Sequence, residues 1–233
     1  MEQLKTFFQN KQVSTVLDVG TGTGDFLAVL TDALPQSKIT GVDPNKESLA
    51  EAAKVYPDVD FAEMSGEKLN IVDNTFDVAA ISMALHHLPD IPKTLAEMQR
   101  VVKPGGWIVV NELFSDNLSP AQEVHKQMHH FRSKIDRLNG TCHNETFTKA
   151  EILKLVEDSG IRILHHFENK NERKPTTENE INERVVKMNE MLEKVSHHPE
   201  HNQLVKESKL IEADLKKHGF EMATRIVIVG QVK

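Results

Sequence analysis

Short apolar runs alternate along the first half of the chain with segments in which apolar residues recur every three or four positions. The first run extends from Val13 to Val19, and its composition is typical of a strand that is buried on both faces. Similar runs predict strands at 38–43, 59–62, 76–82 and 107–113. The segments between them predict helices, which include 25–34, 45–55 and 91–102. This alternation predicts a doubly wound α/β fold around a parallel sheet.

The regular alternation pauses after the fifth predicted strand. Segment 115–147 is rich in His and Lys, and we expect a lid-like insert there with one helix. A sixth strand starts at 161–164 and a seventh covers 224–230. Between them, two helical runs separated by Pro199 predict a helical hairpin insert at 170–220. We therefore expect one domain, 1–233, with two inserts.

The apolar positions of the predicted hairpin must pack against something. Three alternatives are open: the two helices pack on each other, on the domain, or on a second subunit. The last alternative would make the protein a homodimer through the helical insert.

Composition limits the classes of partner. The 233 residues are 39% hydrophobic and 27% charged, which suits one α/β domain with an insertion. The formal net charge of −7 disfavours a nucleic-acid partner, because phosphate contacts call for a basic face. The single cysteine excludes an intrachain disulfide and favours a reducing compartment. No apolar run approaches the roughly 20 residues of a membrane span. We expect a cytoplasmic protein with no membrane partner.

A glycine-rich turn follows the first strand, in the sequence D-V-G-T-G-T-G from Asp18 to Gly24. Its three glycines allow a tight turn and a close approach of backbone to ligand, and the next helix directs free N–H groups to the same point. The third glycine of G-x-G-x-x-G is missing, which disfavours an NAD-dependent oxidoreductase. Asp43 ends the second strand 19 residues after Gly24, where a carboxylate can accept both hydroxyls of a ribose.

Four motifs in order resemble the class I S-adenosylmethionine-dependent methyltransferases, and most closely the small-molecule methyltransferase type 11 group. They are V-L-D-V-G-T-G-T-G, G-V-D-P, F-D-V-A-A-I-S-M-A-L-H-H-L-P-D and R-V-V-K-P-G-G-W, and they cover 13–113. The resemblance implies a seven-stranded Rossmann-like sheet of order 3-2-1-4-5-7-6 with the last strand antiparallel. It also implies S-adenosyl-L-methionine as cofactor, and it is silent on the acceptor.

The resemblance implies a role for each part of the cofactor pocket. The glycine turn and the acid before it would hold the methionine portion, and Asp43 and Pro44 would hold the ribose and one adenine face. The loop after the third strand would contact adenine, with Ser65 where relatives carry an acid. The end of the fourth strand would face the amino group of the cofactor. The predicted cofactor residues are Asp18, Gly20, Thr21, Gly22, Gly24, Asp43, Pro44, Ser65, Gly66, Glu67, Ser82 and Met83.

Methyl transfer from a sulfonium is an in-line displacement, so the protein mainly has to position a nucleophile and exclude water. A base is needed only if the acceptor must lose a proton, and histidine suits that task near neutral pH. The predicted catalytic residues follow the fourth and fifth strands or lie in the first insert: His86, His87, Glu112 and His129.

A zinc site is a competing interpretation of the histidines in the first insert. His125 and His129 are four residues apart on one helical face, and Cys142 follows them. No C-x-x-C pair or H-E-x-x-H motif supports a metal, so we predict none and expect a polar lining for the acceptor.

The sequence therefore predicts a methyltransferase that uses S-adenosylmethionine and moves a methyl group to an O, N or C nucleophile of a small molecule. A non-catalytic S-adenosylmethionine-binding sensor or partner module is the alternative, with the NAD-dependent oxidoreductase behind it. Asp77 and Pro104-Gly105-Gly106 lie at the amino ends of strands, so we expect them to be structural. The first ten residues are expected to form at most a short flap.

Overall fold

A computed structural model describes residues 1–170 and 175–233 of the chain. A seven-stranded sheet has the order β3-β2-β1-β4-β5-β7-β6. The pairs β1–β2, β1–β4, β2–β3 and β4–β5 are parallel, and β7 is antiparallel to β5. The strands are Thr15–Val19 (β1), Lys38–Asp43 (β2), Asp60–Glu63 (β3), Phe76–Ser82 (β4), Val102–Leu113 (β5), Arg162–Asn169 (β6) and Arg225–Gln231 (β7). The predicted fold class and strand order are confirmed.

The helices are Glu2–Phe8 (α1), Leu27–Ala33 (α2), Lys46–Val55 (α3), Ile91–Val101 (α4), Pro120–Leu138 (α5), Lys149–Asp158 (α6), Glu178–Glu193 (α7) and His201–His218 (α8). Helices α2, α3 and α4 lie close to the predicted segments 25–34, 45–55 and 91–102. Side-chain caps fix several starts, because Asn45, Asp90 and Ser119 each accept a hydrogen bond from a backbone N–H of the first turn. None of the described helices is long and apolar enough to cross a membrane.

Segment 103–106, whose proline and two glycines are typical of a turn, is instead part of β5. The pairing with β4 jumps from Phe76 opposite Val102 to Val78 opposite Trp107, so four residues bulge out between two paired positions. Gly105 adopts a φ of +79° there, and its N–H donates to the Val232 carbonyl at 3.1 Å. The glycines thus allow the bulge while neighbouring backbone groups still pair, which is why the segment reads as a turn in the sequence.

The described residues form two compact units. The first, here the sheet unit, comprises 1–112, 150–169 and 226–233, and the second, the helical unit, comprises 113–149 and 170–225. The predicted hairpin insert at 170–220 falls in the helical unit, and its residues 171–174 lie outside the described part of the chain.

The core of the sheet unit is made by its strands and by the first two helices. Val16, Val78, Val109 and Val227 from four different strands are fully buried in one apolar cluster. Helix α1 joins this cluster through Leu4 and Phe8, and Phe8 packs edge-to-face on Trp107 with ring centroids 5.8 Å apart. The first residues are therefore a packed helix at the amino-terminal side of β5, where the sequence led us to expect a short flap.

The helical unit has its own apolar core, in which α5 packs against the α7–α8 hairpin. The buried members come from these helices and the turn after α7: Phe131, Ile135, Met188, Leu192, Val195, Leu204 and Ile211. Lys134 of α5 also forms an ion pair with Glu207 of α8 at 2.8 Å. The apolar side of the hairpin is thus covered within its own unit, by the partner helix and by α5. A homodimer through the insert stays a prediction.

Candidate active site

The glycine turn leaves β1 and returns towards α2 with its backbone held against β2. The N–H groups of Gly20 and Thr21 both donate to the Val42 carbonyl, at 2.8 and 3.0 Å. Gly20 has a φ of +69°, and a Cβ there would lie 2.9 Å from the Cβ of Ala84. Gly22 has a φ of +51° and open space where its Cβ would be. The turn therefore packs tightly on one side and leaves room for a ligand at Gly22.

Asp18 lies beneath this turn and is 1% exposed. Its Oδ2 accepts a hydrogen bond from the Thr21 hydroxyl at 2.6 Å, whereas its Oδ1 is buried and has no partner among the described residues. Burial raises the pKa of the Asp18 carboxyl to about 7; the Thr21 hydrogen bond opposes this shift and the nearby Asp43 charge adds to it. An unpartnered buried carboxylate oxygen calls for a donor or a cation, so this site fits an ammonium group.

Asp43, at the end of β2, is held at both of its oxygens. Its Oδ2 accepts from the Gly22 N–H at 2.9 Å and its Oδ1 from the Asn45 N–H at 2.8 Å. A carboxylate has about four lone-pair positions, so each oxygen can accept one more hydrogen bond. Asp43 is therefore oriented by the glycine turn itself and can still accept from two hydroxyls. Pro44 beside it is exposed.

The loop after β3 is closed by its own hydrogen bonds. The Ser65 hydroxyl hydrogen-bonds the Glu67 carboxylate, and the Met64 N–H donates to the Asp43 carbonyl at 3.2 Å. A Cβ on Gly66 would lie 2.9 Å from Thr94 Cγ2, so this glycine serves close packing against α4. Glu67 Oε1 is buried and unpartnered within the described residues. In this loop the Glu67 carboxylate can therefore accept a hydrogen bond from a ligand, as the Ser65 hydroxyl can.

The end of β4 is joined to β5 by a residue that sequence reasoning missed. Asn111 is 1% exposed; its Nδ2 donates to Ser82 Oγ at 2.8 Å, and its carbonyl accepts from the Met83 N–H at 2.8 Å. Met83 has a φ of +53°, a conformation that non-glycine residues rarely adopt. The missed signal was the polar pair Asn111-Glu112 in an otherwise apolar strand.

The two adjacent histidines after β4 differ in environment. His86 is 4% exposed, and its Nδ1 lies 3.0 Å from Glu112 Oε1, while Glu112 Oε2 accepts from the Leu85 N–H at 3.0 Å. Glu112 is fully buried, and His87 is exposed. A carboxylate beside Nδ1 favours the tautomer that carries the proton on Nδ1 and the lone pair on Nε2. Ala84 begins the same short turn and touches the glycine turn, as described above.

The histidines of the helical unit have separate partners. His125 Nδ1 accepts from the Ala223 N–H at 2.9 Å, and His130 Nε2 lies 2.8 Å from the Thr146 hydroxyl. His129 Nε2 lies 3.3 Å from Nε2 of His143, a buried residue that the sequence did not single out as catalytic. The predicted catalytic residues thus fall into both units, three in the sheet unit and His129 in the helical unit.

The polar groups of the sheet unit are suited to bind S-adenosylmethionine. Asp18 Oδ1 can take the ammonium, Gly22 leaves space for close approach, and Asp43 retains acceptor positions for ribose hydroxyls. All of these groups stand at the carboxyl ends of parallel strands, where ligands of doubly wound sheets bind.

Comparison with known proteins agrees with this assignment. Residues 17–110 match the family model described as "Methyltransferase domain". Demethylmenaquinone methyltransferase of Chlorobaculum parvum is 33% identical over 144 residues, which are 61% of this chain and 58% of that protein. The ubiquinone/menaquinone biosynthesis C-methyltransferase UbiE of Desulfotalea psychrophila is 35% identical over 111 residues, covering 47% of this chain and 44% of that protein. This chain thus spans about half the length of these curated relatives.

A solved structure extends the comparison to the whole fold. The S-adenosylmethionine-dependent methyltransferase structure from Methanosarcina mazei superimposes with a TM-score of 0.60 at 18% identity, covering 97% of this chain and 96% of that one. At that identity the likeness shows the fold alone. Taken with the match of residues 17–110 to the methyltransferase-domain model, it confirms the resemblance to methyltransferases over β1 to β5.

Proposed function

We propose that this protein transfers a methyl group from S-adenosylmethionine to an O, N or C nucleophile of a small-molecule acceptor. The observation that carries the proposal is the pair of oriented carboxylates around the glycine turn: Asp18 with one unpartnered buried oxygen and Asp43 fixed by the Gly22 N–H. This pair matches an adenosine that carries an amino-acid tail better than it matches a dinucleotide, whose motif calls for a third glycine where the helix packs closely on the strand.

When bound, the cofactor supplies an electrophilic methyl group on a sulfonium. The chain itself contributes binding, orientation and a proton acceptor. Asp18 and Asp43 fix the two ends of the cofactor, and His86 Nε2 takes a proton from the acceptor where the acceptor must lose one. Glu112 holds the His86 ring in that tautomer through the 3.0 Å contact at Nδ1. His87, exposed beside it, has no part in this proposal.

The names of the similar proteins point to a class of methyl acceptor. One of the two relatives is named a demethylmenaquinone methyltransferase, and the other a C-methyltransferase of ubiquinone/menaquinone biosynthesis. A reduced quinone or a similar phenolic compound is therefore the first acceptor to test. The match to the methyltransferase-domain model ends at residue 110, and the helical unit lies outside it. The acceptor of this chain can therefore differ from those of the relatives.

Calorimetry with S-adenosylmethionine, S-adenosylhomocysteine and NAD tests the cofactor. We expect the first two to bind and NAD not to bind. Asp43→Ala removes an acceptor of two ribose hydrogen bonds, each worth roughly 1.5–3 kcal/mol to a charged group, so affinity should fall about 100-fold or more. Asp60→Ala is the matched control, because Asp60 is an exposed acid of the neighbouring β3 and pairs only with Lys38 in the described ion pairs. Equal affinities for wild type and Asp43→Ala would contradict the proposal.

Transfer of a labelled methyl group separates the enzyme from the non-catalytic alternative. The labelled cofactor is incubated with the protein and either a demethylated quinol or a metabolite extract. Label in a small-molecule product supports the proposed reaction. Tight cofactor binding with no labelled product from either source would favour the sensor or partner module.

A further inference from the structure

A partly buried cluster of polar side chains lies on one face of α5 and in the segment that follows it. His129 and Asp136 are seven residues apart on α5, which places them on the same side of the helix two turns apart. His143 comes from the following segment and is 1% exposed. All three residues belong to the helical unit, and the proposed methyl transfer uses neither Asp136 nor His143.

The two histidines face each other through their Nε2 atoms. These nitrogens are 3.3 Å apart, and the two rings are nearly perpendicular, at 88°. The other nitrogen of His143, Nδ1, lies 2.6 Å from Asp136 Oδ2. A histidine whose Nδ1 proton is held by a carboxylate presents a lone pair at Nε2. Histidines that bind a metal through one ring nitrogen commonly donate the other N–H to such a carboxylate.

The spacing of the two Nε2 atoms fits a shared metal ion. Nitrogen ligands lie about 2.0–2.1 Å from zinc, and two of them at the tetrahedral angle are therefore roughly 3.3–3.4 Å apart. A direct N–H···N hydrogen bond is the competing explanation, but hydrogen bonds donated by N–H centre on about 2.9–3.0 Å. The observed distance is the one that two ligands of a single ion would have.

The segment that carries His143 is anchored to the same helix. The His143 carbonyl accepts from Ser133 Oγ at 2.6 Å and from Arg137 Nη1 at 2.7 Å. Ser133 lies between His129 and Asp136 on α5 and is fully buried. The position of the His143 ring is thus set by its backbone and by its Nδ1 partner together, so the ligand pair is preorganised.

We propose that His129 and His143 bind a divalent transition metal through their Nε2 atoms, with Zn²⁺ as the best match and Asp136 as the residue that orients His143. Imidazole nitrogens favour zinc and its neighbours over Mg²⁺ or Ca²⁺. The remaining coordination positions belong to groups outside this pair, water among them. The proposal departs from our expectation of no metal, which considered His125, His129 and Cys142. It stands or falls independently of the cofactor assignment.

Metal titration of the full chain tests the site. Chelator-treated protein is titrated with Co²⁺, whose visible absorption reports nitrogen ligands and geometry, and with Zn²⁺ in competition. We expect one tight equivalent in the wild type, its loss in His129→Ala and in His143→Ala, and affinity lowered 10–100-fold in Asp136→Asn. His130→Ala is the control, because this adjacent histidine is bonded to Thr146 instead.

A second measurement, the melting temperature with and without Zn²⁺, distinguishes loss of the metal site from a failure to fold. Zn²⁺ that bridges α5 and the following segment should raise the wild-type melting temperature, and Asp136→Asn should show a smaller rise at the same Zn²⁺ concentration. The proposal is overturned if wild type binds neither metal, or if folded His129→Ala and His143→Ala bind as tightly as wild type. In that case the two rings share a hydrogen bond only.

Discussion

The two units each contain a buried histidine whose Nδ1 faces a carboxylate, yet they hold it by different means. In the sheet unit, Glu112 reaches His86 from the neighbouring strand and also accepts the Leu85 N–H. In the helical unit, Asp136 reaches His143 from one helix, and the same helix fixes the His143 backbone. His86 stands at the carboxyl edge of the sheet beside the glycine turn, where we propose that its Nε2 takes part in proton transfer. His143 faces a second imidazole, an arrangement suited to sharing an ion.

Both members of the first pair were candidates in the sequence, each named separately, whereas Asp136 and His143 were not catalytic candidates. His86 and Glu112 end consecutive strands of a parallel sheet, so the fold brings them to one edge whatever the loops do. Asp136 and His143 meet only because the chain turns back after α5 at Gly140, whose φ is +79°. No periodic pattern in the sequence predicts this reversal of the chain direction.

The largest expected effect is a difference in methyl-transfer rate between the variants His86→Ala and His87→Ala. Under the proposed function, His86→Ala removes a general base, whose contribution is typically 10²–10⁴-fold in rate, while cofactor affinity is kept. His87→Ala, the matched control, should leave the rate within a few-fold, because His87 is exposed. Steady-state rates of methyl transfer measure both. A His87→Ala rate as low as that of His86→Ala would erase the distinction, and an acceptor that needs no proton removal would show no loss in either variant.

The cores of the two units should respond separately to a large-to-small change. Phe131→Ala in the helical unit empties a fully buried site and should cost about 3–5 kcal/mol of unfolding free energy in that unit. Affinity for S-adenosylmethionine, read by calorimetry at a temperature where the variant is folded, should stay at the wild-type value. A parallel loss of cofactor affinity would contradict the assignment of cofactor binding to the sheet unit alone. Chemical denaturation gives the stability change.

The smallest expected effect is a pH dependence that belongs to Asp18. Its folded-state pKa, raised by burial from 3.8 to about 7, means that it must lose a proton before it can pair with an ammonium. Affinity for S-adenosylmethionine should therefore increase about 15-fold between roughly pH 5.5 and pH 7. Asp18→Asn should flatten that profile, and an unchanged slope in this variant would assign the dependence to another group.

The same pKa sets the sign of a stability effect in the ligand-free protein. A carboxyl whose pKa is raised on folding binds more protons in the folded state between the two values. Its contribution to stability is full below pH 3.8 and is lost as the pH rises to about 7. The two profiles therefore run in opposite directions, which makes them a joint test of Asp18.

Asp77 is a residue that the sequence predicted to be structural, and its contacts agree with that role. The sequence assigned it to the amino end of a strand and therefore away from the ligand. There it accepts from the Ser14 and Thr15 N–H groups and pairs with Lys103 at 2.7 Å. Burial alone would raise the pKa of Asp77, but the Lys103 and backbone donors outweigh it and lower the pKa. The residue ties the starts of β1, β4 and β5 together.

Several features were visible in the sequence because they depend on local patterns. Apolar periodicity and the glycine spacing determined the order of strands and helices, the position of the cofactor turn and the exclusion of a dinucleotide motif. The helix starts that the structure shows at Asn45 and Ser119 are equally local, since a cap acts on backbone within one turn. These inferences needed no knowledge of distant contacts.

Only the tertiary structure decided which polar groups meet across distance. It placed Asn111 against Ser82 and Met83, divided His86 from His87 by burial, folded the helical hairpin onto α5, and brought His143 to His129. The physical reason is the same in each case. Burial and hydrogen-bond partners of a side chain are set by segments remote in sequence, whereas the pattern that predicts a strand or a helix is written within a few residues of itself.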